Sequence, residues 1–140
     1  MRGREAADAA RLDGMPGATA GSVIPRMVVA DVAGAVAFLR DVFGAAGDLQ
    51  DGRPAEVELN GSTIMVSAAG ERALFPAFLY VYVDHADAVF ERAISAGARS
   101  IEDPVDTFYG DRRAMVEDPF GNVFQIAHRM QTLGESGGPR

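Results

Sequence analysis

The sequence contains no cysteine, which removes disulfides and thiol chemistry at the outset. Histidine is scarce, with two in 140 residues. No apolar run approaches the length needed to cross a bilayer, so a transmembrane span is excluded. Basic residues are outnumbered: 13 Lys and Arg against 20 Asp and Glu leave a net charge of −7. That balance argues against a general nucleic-acid surface, which needs a basic face. It favours solubility through self-repulsion, with attraction of a cationic ligand as the other reading. Arg2 and Arg4 are followed by alanines mixed with Glu5, Asp8 and Asp13. The apolar core of a secretory leader is missing there, and a cytoplasmic location is expected. No glycine cluster matches a P-loop or a dinucleotide fingerprint, and Gly-x-Ser-x-Gly is absent.

What is present suits one soluble domain with a proper core: 48% hydrophobic and 24% charged residues. Residues 1–22 read as a tail broken by Gly14, Pro16, Gly17 and Gly21, and 131–140 as a second tail. The domain is expected over 23–130, as modules 23–68 and 77–130 joined by a linker at 69–76. In the first module the pattern predicts a strand from Ile24 to Val29. A helix follows, capped by Asp31, with Val32, Val36, Leu39 and Phe43 on its buried face and Gly44 at its end. Strands follow at 47–51, 54–59 and 62–68, the last two joined by Asn60-Gly61, a strong hairpin signal.

The second module repeats the plan. Phe78 to Val83 reads as a strand and Asp84 as a helix cap. Ala86, Val89, Phe90, Ala93 and Ile94 form the buried stripe, and Gly97 is the stop. Setting Asp31 over Asp84 also aligns Ala33 with Ala86, Val36 with Val89 and Gly44 with Gly97, the mark of a duplication. Strands at 99–103, 112–117 and 123–129 complete it. The last two flank Asp118-Pro119-Phe120-Gly121-Asn122, where proline fixes φ and glycine can turn left-handed.

The closing block from Phe108 to Arg129, with its acidic residue, Asp-Pro-x-Gly turn and polar last strand, resembles the vicinal oxygen chelate superfamily of glyoxalases, bleomycin-resistance proteins and extradiol dioxygenases. The Tyr109-Gly110-Asp111-Arg112 segment is similar to that of a large, poorly characterised branch. The resemblance implies an α+β fold of two βαβββ modules, whose curved sheets form a cup with helices on the outer face. It also implies a small-molecule ligand and a homodimer, whether the halves meet within one chain or are exchanged between two.

Strand parity assigns the cup-facing side chains. Phe78, Tyr80 and Tyr82 share one face of their strand, and Leu79, Val81 and Val83 share the core face. The aromatic set either lines a cup or packs an interface. Parity also places Ile24, Arg26 and Val28, then Thr63, Met65 and Ser67, then Val123, Gln125 and Ala127 in the cup. Arg26 needs an anionic partner, with Glu56 or Glu58 favoured over an anionic ligand. Candidate ligand-binding residues are therefore Arg26, Glu58, Met65, Phe78, Tyr80, Tyr82, Tyr109 and Gln125. Tyr109 with Arg112 or Arg113 can close over the rim, and the competing reading is a loop held by an Asp111–arginine pair.

The family's metalloenzymes carry ligands at four positions that fall here on Ile24, Met65, Phe78 and Gln125. An amide, a thioether and two hydrocarbons are a poor set for Zn²⁺ or Fe²⁺. His85 beside a helix cap and His128 on the opposite strand face from Gln125 read as locally bonded or solvated. No metal, cofactor or catalytic residue is therefore assigned. The leading expectation is a metal-free cup that binds a small, aromatic molecule, in the manner of resistance-type sequestration. The alternatives are a lyase or isomerase using a divalent metal or Glu58 or Glu117 as base, and a ligand-free structural dimer.

Overall fold

The computed structural model describes residues 23–130, so both expected tails lie outside the described residues. Strand β1 (Arg26–Val29) leads into helix α1 (Val32–Phe43), then β2 (Ala55–Leu59) and β3 (Ser62–Ala68). After the linker come β4 (Phe78–Tyr82), α2 (Ala86–Ser95), β5 (Arg99–Asp106), β6 (Asp111–Glu117) and β7 (Val123–Arg129). The strands form a three-stranded sheet ordered β1-β3-β2 and a four-stranded sheet ordered β4-β7-β6-β5. In each, the first strand pairs parallel with the last and the remainder are antiparallel hairpins, so the duplication shows in the topology.

The local signals act as expected at α1. The Asp31 carboxylate accepts the Gly34 N–H at 2.9 Å, and Gly44 ends the helix left-handed at φ 72°, donating to the Arg40 carbonyl. The second cap falls one residue later than expected. His85 rather than Asp84 caps α2, its Nδ1 accepting from Ala88 N at 3.4 Å. The cause lies across the sheet, where His128 Nδ1 takes the Ala86 N–H at 2.8 Å and sets where the helix begins. His85 is thus locally bonded, whereas His128 bonds a residue 42 positions away. Ile94 is on the exposed side of α2 while Phe90 is buried.

The strand expected at 47–51 does not form. Only isolated bridges, Ala46 to Glu58 and Gln50 to Arg53, occur there. Gly47 (φ 139°) and Gly52 (φ 70°) interrupt the extended run, and a Cβ on Gly47 would collide with the Glu56 carbonyl oxygen. Strand β5 instead runs past its expected end to Asp106. It carries Pro104 by shifting register between Ser100 and Glu102 and again before Val105. The linker is pinned along the outer edge of β1, where Val28 and Phe75 exchange two backbone hydrogen bonds of 2.9 Å.

The helices of both modules share one core. Phe124, on the helix side of β7, is stacked by Phe38 with ring centroids 5.8 Å apart and tilted against Phe43 at 5.2 Å. Arg92 of α2 donates two hydrogen bonds to the Val42 carbonyl of α1, at 3.1 and 2.8 Å. With this side filled, the opposite face of each sheet is left for the polar and aromatic rows.

Candidate ligand site

The open face of the second sheet follows strict alternation. Leu79 and Val81 turn to the core, and Phe78, Tyr80 and Tyr82 turn outward with 68%, 38% and 41% of their surface exposed. The parallel register sets Phe78 beside Val123, Tyr80 beside Gln125 and Tyr82 beside Ala127. Ala127 is buried although it stands on the open face, with Tyr82 beside it in register. Its small side chain leaves room for the tyrosines to reach β6, the next strand over.

What they reach is Asp111, at the first position of β6 and only 2% exposed. Tyr80 and Tyr82 both donate their hydroxyl protons to Asp111 Oδ2 at 2.7 Å. The Tyr109 hydroxyl lies 3.2 Å from that of Tyr80, and Arg113 donates to Tyr109 at 2.9 Å. Arg113 is held in turn by Glu102 through a two-pronged contact at 3.0 and 3.2 Å. The Arg129 guanidinium lies 4.6 Å above the Tyr82 ring.

Of the two readings of the Tyr109–Arg113 loop, the Asp111–arginine pair is not formed: Asp111 engages tyrosines. Arg113 and Tyr109 do close toward Tyr80, whereas Arg112 points to the helix side. There it grips Asp87 at 2.9 and 3.1 Å and Asp106 at 2.9 Å, holding the Asp87 carboxyl below its usual range. Asp111 was absent from the sequence-predicted site. The available signal was an alanine at 127, one small residue on a face otherwise lined by long ones.

Burial, with hydrogen bonds to Tyr109 and Asp111, pushes the Tyr80 phenol far above its ordinary range, and the bond to Asp111 with burial raises Tyr82. Both stay protonated at neutral pH. A raised phenol stabilises the fold fully below about pH 10, the ordinary tyrosine value, and that stabilisation is lost as pH rises through the folded value. In an alkaline titration of phenolate absorbance, Tyr80 and Tyr82 are therefore expected to ionise late. Asp111→Ala should bring both back toward the ordinary value. An unchanged titration curve in that variant would show that the carboxylate does not govern the phenols.

The remaining predicted residues sit on the first sheet. Arg26 contacts the Met65 sulfur, its partner in register, rather than a carboxylate. Among the described residues the expected ion pair with Glu56 or Glu58 is not formed. The strand order β1-β3-β2 explains this, because β3 separates Arg26 from Glu56 by two strand spacings, about 10 Å. Glu58 is exposed, with its backbone paired to Ala46. Arg26, Val28, Arg72 and Phe75 border one cavity of about 550 Å³, while Tyr80 and Tyr82 border another of about 330 Å³ with Pro25, Leu59 and Ile64. Arg26 and the two tyrosines thus border separate hollows, and Glu58, Met65, Phe78, Tyr109 and Gln125 border neither of these two. The positions of Ile24, Met65, Phe78 and Gln125 do not fit a metal ion: two side chains are hydrocarbon, and the thioether is turned to Arg26.

Comparison with known proteins agrees with this architecture. TioX from Micromonospora sp. ML1 superposes with a TM-score of 0.65 at 23% identity, covering 81% of this chain and 99% of its own. A glyoxalase/bleomycin resistance protein/dioxygenase family enzyme from Burkholderia phytofirmans gives 0.64 at 24% identity, covering 75% and 95%. An uncharacterised protein of Mycobacterium bovis is 33% identical over 127 residues, 78% of this chain and 84% of the relative. The family model for the Glyoxalase/Bleomycin resistance protein/Dioxygenase superfamily matches residues 22–126, which span both βαβ repeats and all but the end of the closing hairpin. The duplicated topology and this match together place the chain in that superfamily.

Proposed function

We propose that the open face of β4, β7 and β6 binds a small aromatic molecule by stacking on Tyr80 and Tyr82, and that the protein sequesters this molecule in the cytoplasm without a metal. The observation that carries the reading is the clamping of both phenols onto Asp111, which immobilises two exposed rings before any ligand arrives. A thermal-shift screen of aromatic compounds tests it. Hits should raise the melting temperature of the wild type and lose their effect in Tyr80→Ala and Tyr82→Ala. Hits that stabilise both variants equally would reject the site.

Chemistry of the lyase or isomerase type has less support. Glu117 is engaged by Arg99 at 2.6 Å, and Glu58 stands on the other sheet. A second copy of the chain is part of the proposal. Leu74, Phe75, Phe78 and Phe108 are all exposed, the kind of apolar surface that marks an interface. A two-fold partner would bring the Arg26 and Met65 face opposite the tyrosine face. Sedimentation equilibrium should return twice the 14.8 kDa chain mass, and a monomer throughout the micromolar range would reject the dimer.

A further inference from the structure

The direction of the hydrogen bonds around Asp111 says what kind of ligand this face accepts. An ionised carboxylate only accepts, so the single protons of Tyr80 and Tyr82 are both committed to Oδ2. Tyr80 then has no proton left for Tyr109, and Tyr109 must donate to Tyr80 while accepting from Arg113. Every phenol proton on the face is used internally, and only oxygen lone pairs point outward. Among the described residues no donor reaches Asp111 Oδ1, and no arginine pairs with Asp111. Arg113, the nearest candidate on the same strand, is matched by Glu102. One negative charge therefore lies beneath the rings, hydrogen-bonded by neutral phenols, with Arg129 as its cross-strand neighbour.

The chain already shows what such a face attracts. Arg129, the cross-strand neighbour of Asp111, lays a planar cation over the Tyr82 ring. Resting on the aromatic-site reading above, we propose that the ligand is a planar organic cation carrying N–H donors, of the amidinium or guanidinium type attached to an aromatic ring. Its donors meet the outward phenol oxygens and its charge is matched by Asp111. A carboxylate or other acceptor-only anion finds no phenol proton to bind, and its remaining partner is Arg129, already laid over the Tyr82 ring.

Benzamidinium and benzoate, nearly the same shape with opposite charge and opposite hydrogen-bonding capacity, separate these cases. Each is titrated into the full ¹⁵N-labelled chain at constant pH and ionic strength while the backbone amides of Tyr80, Tyr82, Asp111 and Gln125 are followed. Benzamidinium is expected to shift these amides and to saturate at a concentration at least about tenfold lower than benzoate, a difference of about 1.4 kcal/mol. Asp111→Asn removes the charge and, with Nδ2 at the Oδ2 position, donates to both phenols and turns their protons outward, so the preference should shrink or reverse. Arg129→Gln, a change at an exposed position, removes the resident cation and should tighten benzamidinium. Benzoate binding as well as or better than benzamidinium at these amides overturns the inference but leaves the aromatic site standing. So does an Arg129→Gln variant that binds benzamidinium no tighter than the wild type. If neither probe moves these amides, the aromatic-site reading falls together with the inference.

Discussion

Replacing Phe124 by alanine is expected to lower the unfolding free energy by about 3–5 kcal/mol. That is a large part of the roughly 5–15 kcal/mol that holds a domain together. The ring is fully buried, and it is where the two modules meet: Phe38 and Phe43 arrive from α1 of the first, Phe124 from β7 of the second. Truncation removes the transfer free energy of one ring and leaves two others facing a void that neither helix can close without losing its own contacts. Urea unfolding followed by circular dichroism gives the number. Phe124→Leu, which keeps much of the volume, should cost well under half as much. A loss below about 1 kcal/mol for the alanine would mean that the modules are joined elsewhere.

Asn122→Ala is expected to cost about 2–4 kcal/mol, through polar groups rather than packing. Asn122 is fully buried at the foot of the closing hairpin. Its Nδ2 donates to Asp118 Oδ2 at 2.9 Å, and its Oδ1 accepts the Ala77 N–H at 2.8 Å, tying the hairpin to the entry of β4. Asp118 Oδ1 also accepts the N–H groups of Phe120 and Asn122, which shapes the turn. Alanine leaves Ala77 N–H and Asp118 Oδ2 without these partners in the interior.

The same change alters pH dependence. Burial pushes the Asp118 carboxyl above its usual range, against the hydrogen bonds from Asn122 and Phe120. A raised carboxyl contributes stability that is fully present below the unfolded value, about 3.9, and is lost as pH rises through the folded value. Without Asn122 the folded value moves higher, so the variant should be penalised more at neutral pH than in acid. A penalty independent of pH would show that the two side chains are not coupled.

The parts of the fold that were legible in the sequence are those settled by neighbours along the chain. The Asp118 to Asn122 turn, the Asn60-Gly61 hairpin and the Asp31 cap each satisfy their own backbone within a few residues, so residue type alone announces them. The aromatic face of β4 was legible because parity is a local rule. What parity cannot supply is the sheet order, and the role of Asp111 depends on it: β7 stands between Asp111 and the tyrosines that donate to it. The same ignorance of order suggested a pair between Arg26 and the glutamates of β2, which β3 keeps apart. The cap of α2 shifted by one residue because a histidine 42 positions away claimed the Ala86 N–H. These three misses are contacts made across the sheet, where local propensity has no voice; the strand missing at 47–51 is instead interrupted locally by Gly47 and Gly52.

The short pairing of the linker with β1 has a consequence for the chain's behaviour at high concentration. A sheet of three strands has two outer edges, and a row of unpaired N–H and C=O groups on either is a template for another chain. Val28 lies in the middle of a hydrophobic strand, and its amide and carbonyl face the side where such an addition would start. Phase separation into fibrils or amorphous precipitate begins with that kind of recruitment. By spending both groups on Phe75 of its own linker, the chain presents no open rung at this point. Phe75→Pro removes the N–H that closes the pair, and the soluble lifetime of the protein should then shorten even where its melting temperature does not fall.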